Sequence, residues 1–370
     1  MSFTEQLESI AATAAANAAE VDRGTFPTKT LDAMRAAGFL GLVSATELGG
    51  GGKGLAEASI VVERLARECA SSAMVVCMHY CAVAVIEAHG PRDLRAAVAA
   101  GKHLSTLAFS ETGSRSHFWA PVGAAKQSGD DVLLTGRKSW ITSAHHADSY
   151  LWSSKPLAGG EASTLWLVPR TTAGVRLAEG QFDGLGLRGN DSVPATAEDA
   201  RLPLSAMLGA DGAGFGIMMG VVLPWFNVLN ASSSAGLMEA ATTRTAAHAG
   251  GTTFQHVGTS IADLPTVRAF IARMRISTDQ TKALIGDTLA AMGANRPDTM
   301  LRVLESKAAA GEAAAQVTDL AMRVCGGAAF RKDVGVERIF RDARAALVMA
   351  PTTDVLYDFI GKAVCGLPLF

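Results

Sequence analysis

Two glycine-rich strings have the residue types and spacing of a dinucleotide-binding loop. The elements predicted on either side of them do not fit that function. Both strings fit the G-x-G-x-x-G pattern of dinucleotide-binding loops, one from Gly49 to Gly54 and one from Gly184 to Gly189. Such a loop needs a strand before it, a helix after it and a second parallel strand. Helical patterns follow the first string and strand-like patterns flank the second, so neither predicts a Rossmann site.

Metal-binding, hydrolytic and phosphate-loop sites also lack their sequence patterns. The adjacent His145 and His146 diverge on a helix or a strand, and no His-Glu-x-x-His is present. No Gly-x-Ser-x-Gly occurs, and Lys53 is not followed by the Ser or Thr of a phosphate-binding loop. The cysteines are odd in number and form no Cys-x-x-Cys, so we interpret them as reduced core residues: Cys69, Cys77, Cys81, Cys325 and Cys365.

The elements that must position a site are helical at both ends of the chain and strand-like in the middle. Apolar residues at three- and four-residue spacing predict helices over 1–103 and again over 216–370. Short β-like runs divided by Gly, Pro and Asp fill 104–215. The sequence therefore predicts a mainly α protein with an inserted β domain: an N-terminal helical domain, a central β domain and a C-terminal helical bundle.

Composition places the chain among globular proteins that bind small molecules or other subunits. Of its 370 residues 18% are charged, and the net charge of −2 lacks the basic footprint of a nucleic-acid binder. Residues 1–22 lack the basic and apolar regions of a signal peptide, so we expect a cytoplasmic location. Polar side chains interrupt the apolar stretches Cys69–Ile86 and Gly212–Met238, which we predict to be helices buried between other helices or between subunits rather than membrane spans. Because Gly212–Met238 is too apolar to remain solvated, we expect a homo-oligomer that buries it.

The sequence contains five segments in a specific order: FPTKTLDAMRAAGFLGLVSATELGGGGKG, LAFSETGSRSHF, GRKSWITSAHHAD, LGLRGNDSVPATAEDARLPLSAMLGADGAGF and CGGAAFRKDVGVERIFRDAR. Their order and spacing resemble the acyl-CoA dehydrogenase superfamily across nearly the whole chain. The resemblance implies the fold of that superfamily, in which a β domain lies between two helical domains.

The resemblance also implies a flavin cofactor, FAD or alternatively FMN, held mainly by the β domain. Phe109 and Ser110 would meet the pyrimidine edge of the flavin, and Ser116 would contact its phosphates. Trp140 would cover the ring, and Thr142 would hydrogen-bond near its reactive nitrogen. Each residue alone is equally typical of a strand core or a turn, but together and in this order they favour flavin binding.

The C-terminal bundle would supply the remaining cofactor contacts. By resemblance, Gly326 and Gly327 would let the backbone approach the adenine side, although a glycine pair is also typical of a helix C-cap. Thr352 and Asp354 would lie beside the ribityl chain. Gly251 stands where the family has an arginine that binds the pyrophosphate of the neighbouring subunit's flavin.

The chain departs from its family at the catalytic base. The family reaction removes a proton α to a thioester carbonyl with a carboxylate while a hydride passes to the flavin. Alignment from the RDAR motif places Ala350 at the usual glutamate. Some members carry the glutamate on the helix that enters the bundle, where this chain has Phe226. Neither side chain can accept a proton.

Three ionisable residues remain as candidate bases near the predicted pocket. Glu111 matches a family glutamate in a loop, and its favoured role is to hold that loop. His117 stands where the family has Asp, and a histidine can titrate near neutrality. Asp354 is favoured as a polar residue facing the ribityl hydroxyls rather than as a base.

Three hypotheses for the function follow. The leading one is a flavin-dependent oxidoreductase that acts on an acyl-CoA-like substrate without the usual base, as a homodimer or homotetramer. The second is a flavin-dependent monooxygenase of the same fold, which needs no carboxylate base. The third is a non-catalytic paralogue. The first two imply an electron-transfer partner or a flavin reductase, respectively.

Overall fold

The N-terminal region consists of helices joined by loops. The computed structural model describes residues 1–369. The first helix starts in a capping box, because the Ser2 hydroxyl accepts from the Glu5 amide and the Glu5 carboxylate accepts from the Ser2 amide. The fourth is buried on nearly every side, in agreement with its uniformly apolar sequence. The helices are α1 (Phe3–Val21), α2 (Thr28–Ala36), α3 (Leu55–Ala66), α4 (Ala70–His89) and α5 (Arg92–Ala99).

Two four-stranded sheets form the central β domain. Their orders are β1-β4-β5-β8 and β2-β3-β7-β6, and β1 pairs with β4 in parallel, whereas the other neighbours are antiparallel. A core that includes Trp152 and Trp166 fills the domain. The strands are β1 (Ser105–Ala108), β2 (Ala124–Ser128), β3 (Asp131–Ile141), β4 (Ser149–Ser154), β5 (Thr164–Pro169), β6 (Val175–Leu177), β7 (Val193–Pro203) and β8 (Met207–Leu208).

Long helices α7, α8 and α9 pack together to form the C-terminal bundle. A π-helical turn, Met218–Val222, joins α6 to α7, and a short hairpin separates α7 from α8. The elements are α6 (Gly214–Ile217), α7 (Leu223–Gly251), β9 (Thr253–Phe254), β10 (Thr259–Ser260), α8 (Pro265–Gly293), α9 (Thr299–Cys325), α10 (Val336–Ala343), α11 (Ala345–Val348) and α12 (Thr353–Val364).

Two apolar segments of the chain are long enough to cross a membrane by length and composition. They are α4 and the continuous helix 214–251, and most of the apolar part of each is buried inside the protein. Of the five cysteines, four are buried and free as expected. The prediction was wrong for Cys365, which is exposed because it follows the last turn of α12 at the edge of the bundle.

The three regions meet at α10. The Arg341 guanidinium pairs with the Asp22 carboxylate at 2.7 Å and donates to the Leu185 carbonyl oxygen at 3.2 Å. The Asp342 carboxylate accepts from the Leu187 amide at 2.7 Å. Burial raises the pKa of Asp342 to about 6. A Cβ at Gly186 would lie 2.6 Å from the Arg341 carbonyl carbon, so glycine permits this close approach.

Candidate active site

A buried ion pair anchors the loop between β1 and β2 to β3. The Lys138 ammonium donates to a Glu111 carboxylate oxygen at 2.5 Å and to the Ser153 carbonyl at 2.8 Å. Glu111 also accepts from the amides of Val122 at 2.7 Å and Gly123 at 3.1 Å. Burial lowers the pKa of Lys138 to about 8. With its oxygens engaged in this way, Glu111 is placed to hold the loop rather than to take a substrate proton.

The same loop contacts the start of α12 across a large sequence separation. The Thr352 amide donates to the Ser116 hydroxyl oxygen at 2.9 Å, and the two hydroxyl oxygens lie 3.4 Å apart. Asp354 is exposed in the first turn of α12. His117 is exposed too, with its ring centroid 5.1 Å from that of Trp119. The structure therefore brings two predicted flavin contacts together at a helix N-terminus, a position that attracts anions.

The other predicted β-domain contacts lie on the loop and along β3. Phe109 is buried, and the Ser110 carbonyl accepts from the Ser139 amide at 2.9 Å. Trp140 leaves 64% of its surface exposed, which is unusual for so large an apolar side chain. Thr142 lies buried, with its hydroxyl 3.1 Å from that of Ser192. Trp140 thus leaves most of its surface exposed next to the anchored loop, with the Phe182 ring in a T-shaped contact at a centroid distance of 6.3 Å.

The predicted adenine-side glycines lie where α9 ends. Gly326 ends α9 with a φ of +56°, a backbone conformation that favours glycine, and Gly327 follows it. Both are exposed, and a Cβ on either would meet only open space. Gly251 is exposed at the last turn of α7. Within residues 1–369, neither Gly326 nor Gly327 hydrogen-bonds to Ser116 or Thr352.

Both base positions lie around one buried lysine that the sequence analysis did not identify. The Lys307 ammonium lies 5.9 Å from the centroid of the Phe226 ring. It donates to carbonyls on either side of the half-buried Ala350, those of Met349 at 3.0 Å and Pro351 at 2.8 Å. The two alternative glutamate positions therefore converge in space, and each is apolar.

A sequence signal for Lys307 existed. It is the single charge in the run SKAAAG on α9, where the neighbouring positions are apolar or small and buried. A lone lysine on a core face must find buried acceptors, because an unpaired ammonium is strongly disfavoured there. Lys138 gave a weaker signal, since it lies on a strand that also carries exposed residues.

The residues present fit a flavin. A hydroxyl and a helix N-terminus meet at Ser116 and Thr352, the buried Thr353 hydroxyl lacks a hydrogen-bond partner, and Trp140 is largely exposed. A flavin needs these groups, namely polar contacts along its chain and an aromatic wall at its ring. Together with the three-part fold, they define the class as a flavoprotein oxidoreductase.

Comparison with known families identifies the chain within that class. Acyl-CoA dehydrogenase domain models match three consecutive ranges: the N-terminal domain at 2–101, the middle domain at 106–200 and the C-terminal domain at 212–365. The chain belongs to the acyl-CoA dehydrogenase family, whose members are FAD-dependent enzymes. The predicted fold class and the predicted cofactor FAD are confirmed.

Individual relatives resemble the chain over almost its full length. The short-chain specific acyl-CoA dehydrogenase of Bos taurus mitochondria is 28% identical over 346 residues, 91% of this chain and 83% of the relative. The glutaryl-coenzyme A dehydrogenase in its glutaryl-CoA complex has a TM-score of 0.92 at 23% identity, covering 100% of this chain and 97% of the other. Butyryl-CoA dehydrogenase from Megasphaera elsdenii has a TM-score of 0.89 at 20% identity, with 99% of each chain covered. The two structures share the fold.

Proposed function

We propose that this enzyme oxidises an acyl-CoA-like substrate by a route that uses no carboxylate at position 350 or 226. Membership of the acyl-CoA dehydrogenase family supports the substrate class, and the Bos taurus relative is named for short-chain acyl-CoA. The observation that carries the proposal is the convergence of Ala350 and Phe226 around Lys307. Neither Ala350 nor Phe226 has a side chain that can accept a proton.

The residues of the chain have distinct tasks in this proposal. Bound FAD supplies the hydride acceptor. Ser116 and Thr352 hold its polar chain, and Trp140 covers its ring and excludes water from that side. Lys307 donates its protons to backbone carbonyls, so the ammonium is occupied and does not replace the missing base.

Anaerobic mixing of the FAD-loaded enzyme with short, medium and branched saturated acyl-CoAs tests the proposal through flavin bleaching. We expect slow bleaching, because loss of a general base typically lowers the rate by about 10²- to 10⁴-fold. No bleaching with any of these substrates would refute oxidation of this substrate class. Ala350→Glu should restore part of the bleaching, and Ile60→Glu, which places a carboxylate on the exposed surface of α3, should not. Fast bleaching with enoyl product in the wild type would contradict the proposal and direct attention to Asp354, Glu111 or His117.

A flavin-dependent monooxygenase is the second candidate, and one observation favours it. Gly251 stands where the resemblance implies an arginine that binds the flavin pyrophosphate. The absence of this arginine, together with the two apolar base positions, suits an enzyme that exchanges reduced flavin with a reductase. Such an enzyme would hydroxylate a substrate when given oxygen and externally reduced flavin. Formation of a hydroxylated product under those conditions, without bleaching by acyl-CoA, would select this candidate over the dehydrogenase.

A further inference from the structure

Lys307 is a buried cation with no carboxylate partner. Its side chain is fully buried on α9, and among residues 1–369 it forms no ion pair. Three backbone carbonyls accept its three ammonium protons at 2.8–3.1 Å, those of Ala346, Met349 and Pro351. Ala346 lies in α11, and Met349 and Pro351 lie in the turn between α11 and α12; residues 346–352, which comprise the rest of α11 and this turn, are called the 346–352 loop.

The charged form of Lys307 matches its surroundings. An ammonium has three protons to donate, whereas a neutral amine has two and would turn a lone pair towards one carbonyl oxygen. The Phe226 ring of α7 lies 5.9 Å from the ammonium, and α11 and the 346–352 loop face it with backbone oxygens. No charged side chain faces it from these elements. Burial nevertheless lowers the pKa of Lys307 to about 7.

The 346–352 loop is held from both sides. Lys307 binds it from the bundle, and Ser116 of the β domain accepts from the Thr352 amide at 2.9 Å. The loop carries Ala350 at the family's base position and ends at the N-terminus of α12. Removal of the bundle-side anchor would therefore free both the base position and Thr352, the residue that the resemblance places beside the ribityl chain.

We propose that Lys307 is the positioning residue of this site: its ammonium fixes the 346–352 loop through three carbonyls and thereby presents Thr352 to the flavin. The loop anchor stands on the contacts of the protein itself, and the flavin part rests on the function proposed above. Because the Lys307 side chain is fully buried and its ammonium is bound to three carbonyls, its effect on the flavin site passes through the backbone.

Hydrogen–deuterium exchange of the flavin-free protein tests the anchor. We expect Lys307→Met to increase the exchange rates of the Met349, Ala350, Thr352 and Thr353 amides by about tenfold or more, because the variant loses three charge-assisted hydrogen bonds to this segment. Lys282→Met is the matched control, since Lys282 lies in the same bundle but pairs with Glu63 and Glu239. If Lys307→Met does not fold, Lys307→Gln, which keeps two donor hydrogens, takes its place. Equal exchange in the variant and the wild type would overturn the anchor.

FAD titration at pH 6 and pH 9, followed by flavin fluorescence, tests the second part. We expect Lys307→Met to bind FAD about tenfold more weakly at pH 6. The difference should shrink at pH 9, where wild-type Lys307 is itself neutral, and Lys282→Met should match the wild type throughout. The role of the charge would be overturned if the ratio of the FAD affinities of Lys307→Met and the wild type were the same at pH 6 and pH 9. It would also be overturned if the two proteins bound FAD equally well at pH 6. Failure of the wild type to bind FAD at all would instead refute the proposed function, and the exchange experiment would still decide the anchor.

Discussion

The contacts of Glu111 show how one side chain can match a family position and yet be unavailable for catalysis. Its carboxylate faces Lys138 and two backbone amides and is 4% exposed. A catalytic base must reach the proton it removes and release it afterwards. Glu111 instead closes a local network that fixes the loop carrying Ser110 and Ser116.

We expect Glu111→Gln to lower the free energy of unfolding by about 3–5 kcal/mol, because it leaves the Lys138 ammonium buried without its counter-charge. Urea unfolding measures the change. Asp131→Asn is the control, since the Asp131–Arg201 pair is largely exposed and its loss should cost less than about 1 kcal/mol. A variant as stable as the wild type but without turnover would instead make Glu111 catalytic.

At the scale of elements, His79 joins three parts of the N-terminal half. It lies fully buried on α4, with Nε2 3.1 Å from the Leu40 carbonyl and Nδ1 accepting from the Ser105 amide at 3.2 Å. This pattern is satisfied by the neutral ring, which donates from one nitrogen and accepts at the other. Burial lowers the pKa of His79 to about 4, so the ring is neutral near pH 7.

The lowered pKa of His79 predicts acid sensitivity of a definite sign. The unfolded chain binds a proton at the ordinary pKa near 6.5, whereas the folded protein resists protonation until about pH 4. Stability from this group is therefore complete above pH 6.5 and is lost as the pH falls to 4, by about 3 kcal/mol in all. Urea unfolding across this range should show a steeper decline for the wild type than for His79→Gln. Parallel curves would contradict the prediction.

For the whole molecule, the apolar surface available to an oligomer interface is not the one expected from the sequence. The expected homo-oligomer rested on Gly212–Met238 being too apolar to remain solvated. That interpretation was wrong in its reason, because the segment is mostly buried within the single chain, packed against other helices. The exposed apolar side chains of the bundle instead include Phe330, Val348, Tyr357 and Val364.

We predict a homodimer or homotetramer that covers these bundle residues. Light scattering should give two or four times the chain mass, and Val348→Asp should shift the protein towards monomer, because a charge opposes burial of that face. Ile60→Asp is the control, since Ile60 is also exposed but lies on α3 in the N-terminal region. A wild-type protein that stays monomeric at all concentrations tested would refute the prediction.

The order of the elements and the absence of the usual carboxylate base can both be read from the sequence alone. Helical periodicity and β-like alternation depend on residues within a few positions of each other, so they are visible without the fold. The identities of Ala350 and Phe226 are also properties of the sequence, and they exclude a carboxylate at either position.

The contacts between residues that are distant in the sequence are visible in the three-dimensional structure and not in the sequence. Ser116 and Thr352 are 236 residues apart, and Lys307 reaches both base positions although it is more than 40 residues from Ala350. Such contacts depend on how α7, α9 and the β domain pack, and local periodicity does not specify packing between elements. The same reason explains why only the structure identifies Lys138 as the partner that holds Glu111 in its loop, and why it shows Gly212–Met238 buried mostly within the single chain.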